Sequence, residues 1–505
     1  MLFFAFIPLL FIEDSFSRKE KKGSFSFLCY SYLAFFLWNA ITTWWIYYST
    51  LFGMIGAVVI NSLFMTTVFY FFHLTRNKLG NRQGYASLIV YWIAWEWWHM
   101  QWELSWPWLT LGNGFANYYK WIQWYEYTGV FGGSLWVLVI NLLIYKLIKT
   151  NNSPLRLFKI TSIGFLLLIP LLVSFLIYKN YEEKENPVNV VVVQPNVDPY
   201  NVKFNASPVE ILDKMFSLAK PYLDSSSQYL VFPETALTEN VWENEIDSSG
   251  TVLFINNFLK EYPALKIVTG ASTYYAFSPS EKLSVSARKF KNQEGFYDAF
   301  NSALQIEPGR GVQVYHKSKL VVGVEKIPYP LLFKPLENFA INLGGTSGSL
   351  GTQQERSVFG LQVNEKEAIV APVICYESIY GEYVTDYVKK GANVIFILTN
   401  DGWWENTPGH KQHLAYARLR AIETRRSIAR SANTGISCFI NQRGDIFQPT
   451  QWWEEAVITQ KINLNRSVTF YVKYGDFIAR ISVIVTIFLF LWTIIRFIKN
   501  RFHHS

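Results

Sequence analysis

The sequence runs to 505 residues, half of them hydrophobic and 18% aromatic, with 19 Trp and a formal net charge of +8. This excludes a small soluble domain, and it excludes a disulfide framework or zinc site: Cys29, Cys375 and Cys438 stand far apart, with no Cys-x-x-Cys pair. The positive charge does not call for nucleic acid, because the basic residues gather at the ends of apolar runs, as in a membrane protein.

In chain order, Met1–Ile12 is apolar but shorter than the ~20 residues a bilayer span needs. It also lacks the basic start and small-residue cleavage site of a signal peptide. Longer apolar runs follow at Phe25–Tyr47, Leu51–Phe72, Ala86–Met100, Gly129–Leu147 and Ile160–Tyr178, with one more at Ile481–Ile495. Arg18, Lys19, Lys21 and Lys22 precede the first run, and Arg76, Lys78 and Arg82 separate the second from the third. Lys146, Lys149, Arg156 and Lys159 separate the fourth from the fifth, and Arg496, Lys499 and Arg501 follow the last. Six spans put all these basic groups on the cytoplasmic side at once and send the segment between Tyr178 and Ile481 to the other side. Six tryptophans crowd Trp95–Trp108, an aromatic belt at the outer interface or a floor where a lipid enters. Glu96 and Glu103 in that stretch are expected to point into protein or the headgroup layer. The expected organisation is transmembrane helices over 1–180, an α/β domain over 188–465, and a final transmembrane helix with a basic cytoplasmic tail over 478–505.

Within the α/β segment, Val190–Gln194 and Tyr229–Phe232 read as buried strands with a helix over Val209–Leu223 between them. Lys266–Gly270, Ser302–Ile306, Ile369–Cys375, Val394–Thr399 and Ile436–Ile440 read as further strands, and Lys411–Arg430 as a helical stretch. Arg418, Arg425, Arg426 and Arg430 are expected on a solvated or ion-paired helix face. Alternating strands and helices give an α/β domain with helices over the sheet faces.

Three motifs carry chemistry. Phe232-Pro233-Glu234-Thr235-Ala236 puts a carboxylate just past a strand, and Tyr315-His316-Lys317-Ser318-Lys319 is followed eight residues after Lys317 by Glu325. The apolar, β-branched run Ala368–Ile374 leads into Cys375-Tyr376-Glu377, a thiol at a strand tip, where open α/β sheets place their ligands. Singly, each has an ordinary explanation: a helix-favouring acid, a surface lysine, solvated loop acids, a small buried thiol. Together they supply a nucleophile, a base to take its proton and a cation for thiolate and oxyanion.

The order Glu, Lys, Cys with these flanks resembles the nitrilase superfamily, and spans around such a domain resemble its apolipoprotein N-acyltransferase branch. Trp106-Pro107-Trp108, Gln123 with Glu126-Tyr127 and Gly129, Gln194-Pro195-Asn196, Asn301-Ser302-Ala303, Asn400-Asp401-Gly402-Trp403 and Asn433-Thr434-Gly435 are further matches. The resemblance implies a polytopic α-helical membrane protein with an inserted nitrilase-like α-β-β-α sandwich. It implies Glu234 as general base, Lys317 as oxyanion stabiliser and Cys375 as nucleophile. Glu325 and Glu377 would be supporting acids, Tyr376 would line the pocket, and Asn400 and Trp403 would help bind substrate. Two features depart from the family. Val322-Gly323-Val324 stands where it usually has Pro-Phe-Gly, and six runs plus Met1–Ile12 stand where it has eight spans, so either the start is late or a first span is missing.

The implied reaction moves a fatty acyl group from a phospholipid to the N-terminal amine of a diacylglyceryl-cysteine apolipoprotein through a Cys375 thioester. It needs no cofactor and no metal, and would run in a bacterial inner membrane with the catalytic domain on the periplasmic side. Ile327–Phe333 is an apolar, Pro-rich loop that either packs in the core or dips into the bilayer as a lid. A membrane-tethered carbon-nitrogen hydrolase using the same three residues is the alternative, though one span would tether it. A transporter or receptor is disfavoured by the few ionisable residues in the spans.

Overall fold

The computed structural model describes residues 1–17, 24–149, 155–198, 207–329, 349–360 and 367–502. The basic group Arg18–Lys22, and residues 330–333 of the apolar loop, lie outside them. The chain divides into two units: Met1–Tyr47 with Leu51–Tyr181 and Tyr474–Ser505, and Glu182–Lys473 with Tyr48–Thr50.

The first unit is helical. Five helices are long and apolar enough to cross a membrane: Phe25–Tyr48, Leu51–Leu79, Tyr125–Lys149, Arg156–Asn180 and Phe477–Lys499. Only 11% of the apolar window of Arg156–Asn180 is buried, so its leucines need lipid around them. The run expected at Ala86–Met100 is the helix Asn81–His99, which is not among the five. Its charged and aromatic residues lower its hydropathy, and it packs inward through Tyr91, Trp92 and Ile93. Glu96 points into protein as expected, its Oε1 accepting from Trp92 Nε1 at 3.1 Å and Leu111 N–H at 2.8 Å. The tryptophan-rich stretch divides: Trp98 is exposed, whereas Trp108 is buried and packs on Trp45. The short apolar start forms the helix Ile7–Ser17, whose Glu13 and Asp14 pair with Arg76, and Asp14 also with Lys149.

The second unit holds thirteen described strands: β1 (Pro187–Gln194), β2 (Tyr229–Val231), β3 (Leu237–Trp242), β4 (Lys266–Ala276), β5 (Arg288–Lys289), β6 (Phe296–Ile306), β7 (Gln313–His316), β8 (Val370–Ile374), β9 (Val394–Thr399), β10 (Ile428–Ala432), β11 (Cys438–Ile440), β12 (Ile446–Phe447) and β13 (Ala456–Asn463). One sheet has the order β13-β1-β2-β4-β6-β5, with β3 on β4 and β7 on β6; the other runs β12-β11-β10-β9-β8. The sheets pack face to face: Tyr229 of β2 stacks edge-on against Phe396 of β9, and Ser431 Oγ of β10 donates to Val193 O of β1. Helices Pro208–Ala219 and Gly250–Leu259 cover the first sheet, burying Ile211, Met215, Phe216, Val252 and Ile255 against Val191, Leu230 and Ile267. Each such side chain contributes roughly 1.5–3 kcal/mol by leaving water. With Gly381–Lys389 and Pro408–Thr424 on the second sheet, the layering is α-β-β-α.

β1–β2–β4 and β8–β9–β10 are parallel, so Glu234, Cys375 and Asn400 follow the carboxyl ends of β2, β8 and β9. β8 is an edge strand, which is why it tolerates Pro372. The helical stretch expected to reach Arg430 stops at Thr424. Arg425 adopts a left-handed conformation there, and Arg430 lies on β10. Arg425, Arg426 and Arg430 are buried rather than solvated, bonded to backbone carbonyls or, for Arg430, to Asp401.

Candidate active site

Glu234 sits where the chain leaves β2 and runs on alongside β4 into β3, β2 and β3 both being parallel to β4. The approach is close: a Cβ on Gly270 would lie 2.4 Å from Thr235 N and 2.6 Å from Glu234 Cα, so only glycine fits. Glu234 is 6% exposed and its lone pairs are well used. Its Oε1 accepts from Lys317 Nζ at 2.9 Å and Asn301 Nδ2 at 2.8 Å, and Oε2 accepts from Asn400 N–H at 3.1 Å.

Lys317 follows β7 and is 1% exposed. Its ammonium lies 2.9 Å from Glu234 Oε1 and 2.9 Å from Glu325 Oε1. Burial opposes the charge, but Glu234 and Glu325, with Cys375, hold the group well above the usual lysine range, so it stays an ammonium. Glu325 is fixed from its other side, Oε2 accepting Val321 N–H at 2.8 Å. Val322-Gly323-Val324 turns tightly through Gly323 at φ +82°, so the loop still delivers the Glu325 carboxylate to Lys317.

Cys375 starts a 3-10 turn, Cys375–Ile379, directly after β8 and takes a left-handed φ of +47°. Such a backbone costs a non-glycine residue roughly 1–2 kcal/mol, and here two anchors hold it. His413 Nε2 lies 3.1 Å from Cys375 O and 2.9 Å from Ser378 Oγ, while Nδ1 lies 3.0 Å from Asp401 Oδ1. Glu377, fully buried, accepts from Ile374 N–H at 2.9 Å and from Ser318 N–H at 2.7 Å, tying the end of β8 to the residue after Lys317. The Tyr315 and Tyr383 hydroxyls reach its Oε1 at 2.6 and 2.7 Å, and the Tyr387 hydroxyl reaches Oε2 at 3.4 Å. Burial, then the charge of Glu234, push the Cys375 thiol well up, and Lys317 and a Thr399 hydrogen bond only partly offset this. The resting thiol is therefore protonated and needs a base.

Cys375, Asp401 and His413 offer ligand atoms within 4.8 Å of one another. Those atoms are committed: Asp401 Oδ2 pairs with Arg430 at 2.6 Å and Oδ1 faces His413 and Thr399. Against the effect of burial, Arg430 and His413 hold the Asp401 carboxyl far below its usual range. Arg430 and His413 both pair with Asp401, so Asp401 and His413 form an ion-paired support beside Cys375.

Of the residues singled out from sequence, Glu234, Lys317 and Glu325 form one hydrogen-bonded cluster, and the charges of the first two bear on Cys375. Glu377 acts as a tether, and Asn400 reaches Glu234 through its backbone. Tyr376 is buried edge-on against Tyr380, 5.4 Å between rings, and Trp403 is half-buried in the turn Asp401–Trp404. Sequence reasoning gave no role to Asn301, His413, Tyr315 or Tyr383. Asn301 and Tyr315 were visible within motifs, while His413 and Tyr383 act through contacts that only the tertiary register creates.

Residues 189–470 match the carbon-nitrogen hydrolase family, and residues 1–143 match the N-terminal domain of apolipoprotein N-acyltransferase. Over 489 residues, 95% of this chain and 89% of the relative, the sequence is 30% identical to an apolipoprotein N-acyltransferase of Chlorobaculum tepidum. A Thermotoga maritima protein of the same name is 26% identical over 72% of this chain and 62% of its own length. Among solved structures, a Saccharomyces cerevisiae member of branch 10 of the nitrilase superfamily aligns over 55% of this chain and 90% of its own, with 14% identity and a TM-score of 0.39.

Proposed function

The chain belongs to the apolipoprotein N-acyltransferase family, and from that premise we propose that Cys375 carries a fatty acyl group between two half-reactions, with Glu234 as its base and Lys317 as oxyanion stabiliser. The observation that supports this most is the buried Lys317 ammonium, 2.9 Å from each of two carboxylates, whose charge bears on a strand-end thiol that cannot ionise unaided.

In the first half-reaction Glu234 takes the thiol proton and the sulfur attacks the ester carbonyl of a phospholipid. Lys317, with a backbone N–H, balances the oxyanion. Collapse breaks the ester C–O bond, Glu234 returns the proton to the departing alkoxide, and a lysophospholipid leaves an acyl thioester on Cys375. In the second, the α-amine of a diacylglyceryl-cysteine apolipoprotein attacks the thioester. That amine has an ordinary pKa of about 7.7–8.0, so part of it is neutral near pH 7. Glu234 takes the amine proton, the C–S bond breaks and the thiol is restored. Tyr376 and Trp403 are assigned to the substrate pocket. The tethered-hydrolase alternative leaves the match over residues 1–143 without an account. The site is assigned to the periplasmic side of a bacterial inner membrane, on the strength of the basic residues between the spans.

Labelled phospholipid alone should leave its acyl group on Cys375 and release one lysophospholipid per enzyme, and a diacylated lipopeptide should then carry the label away on its N-terminal amine. Cys375→Ala should form no adduct. Mass spectrometry of the labelled protein is the measurement. Label on another residue, or full transfer by the variant, would sink the reading.

A further inference from the structure

We infer that Asn301 is a positioning residue for this reaction, its side-chain amide clamping Glu234 and Glu325 as a pair around Lys317; the inference rests on the roles proposed above. Asn301 lies on β6 and is 6% exposed. Its Nδ2 donates to Glu234 Oε1 at 2.8 Å and to Glu325 Oε1 at 3.0 Å. Those same two oxygens receive the Lys317 ammonium. Four groups thus close a ring in which each carboxylate oxygen has two donors. The backbone carbonyl of Asn301 also accepts Lys317 N–H at 2.8 Å, so one residue fixes both ends of the lysine's surroundings.

Charge counting explains why an amide stands there. Two carboxylates and one ammonium leave one negative charge in excess in a buried place. A second cation would neutralise the charge that a base needs, and a hydroxyl offers only one hydrogen. A primary amide offers two hydrogens and no charge. Its orientation is forced, since the reverse would set three oxygens against one another. Asn301 Oδ1 is buried with no hydrogen-bond partner among the described residues. The fold therefore tolerates an unsatisfied acceptor in order to place the NH2 group between the acids. Both Nδ2 bonds go to the oxygens that face Lys317, so Asn301 fixes the orientation of the Glu234 carboxylate that acts as base.

The test is single-turnover acylation of the full-length protein in detergent by labelled phosphatidylethanolamine, followed across the neutral pH range. Asn301→Ala should slow acylation about tenfold or more and move the acid limb of the profile up by about one pH unit. The phospholipid concentration for half-maximal rate should stay unchanged. Asn301→Gln, which keeps the NH2 group, should recover part of the rate with the wild-type limb. Asn301→Asp, which adds a third carboxyl, should be slower than Asn301→Ala at neutral pH. An unmoved acid limb in Asn301→Ala, or a loss seen only in half-saturation, would overturn the inference. If that variant fails to insert, Asn301→Ser, which keeps one donor, carries the same comparison. A wild-type enzyme that forms no acyl-Cys375 would overturn the proposed function itself. A wild-type adduct with an unmoved variant profile would overturn the Asn301 inference alone.

Discussion

At the scale of single residues, charge around the nucleophile is rationed. Lys317 is balanced by two carboxylates and held above the usual lysine range, whereas Lys319, two positions on, shifts the other way. Burial and then the neighbouring charges of Arg356 and Lys326 depress its ammonium from 10.5 to about 8, and its Nζ rests over the Tyr380 ring at 4.6 Å. The sign of the effect on stability follows. Below the folded value both states hold the proton, and the fold bears the full penalty of a confined charge. Between about 8 and 10.5 the unfolded chain binds more protons than the folded one, so this group makes stability rise with pH across that window. Lys319→Met removes the penalty. Its melting temperature in detergent should exceed that of the wild type near pH 7, and the gap should close as pH approaches about 10. A gap that stays constant over the window would show that Lys319 is not carrying a confined charge.

At the scale of elements, the site depends on how closely strand ends approach one another. β4 passes the Pro233–Thr235 corner at a distance that admits no side chain on Gly270. Gly270→Ala should lower stability by about 1–3 kcal/mol, as overpacking does, and should slow acylation by displacing Glu234. Gly311→Ala, whose added Cβ would meet nothing nearer than 3.6 Å, is the control and should melt close to wild type. Equal shifts in the two variants would refute the close-approach argument. The same elements show what the sequence disclosed. β1, β8 and β9 are dense apolar runs, and the motifs at the ends of β2, β7 and β8 pointed to Glu234, Lys317 and Cys375. β13 was invisible because it lies on a sheet edge with one buried residue, Ile462, and carries polar Thr459, Gln460 and Lys461, and β3 because its six residues include polar Thr238, Glu239 and Asn240. The helix end at Thr424 was missed because Arg425 takes the left-handed cap that glycine usually signals. His413 and Asn301 went unassigned for another reason. Their partners stand 38 and 67 residues away, and only sheet pairing and packing bring them together.

At the scale of the molecule, the remaining question is which side of the bilayer holds each end of each span. On the proposed topology the five apolar helices and Asn81–His99 each cross, and six crossings would place Arg76, Lys78, Arg82, Lys146, Lys149, Arg156, Arg496 and Lys499 at one membrane face. The helix Ile7–Ser17 agrees, because Glu13 and Asp14 near its end pair with Arg76 and Lys149 of that same face. The segment between the fifth and last spans, which carries Cys375, would then emerge on the opposite side. Val285 in that segment is 94% exposed, and Leu155, at the start of the fifth span, is 60% exposed. Single cysteines at these two positions report the sides directly. Cys29→Ser removes the exposed native thiol, while Cys375 and Cys438 are buried. In intact spheroplasts a membrane-impermeant maleimide should label Val285→Cys, and it should label Leu155→Cys only after the membrane is broken. Labelling of both from the outside, or of Leu155→Cys alone, would reverse or abolish the proposed orientation. An acceptor presented on the periplasmic face could then not reach the thiol.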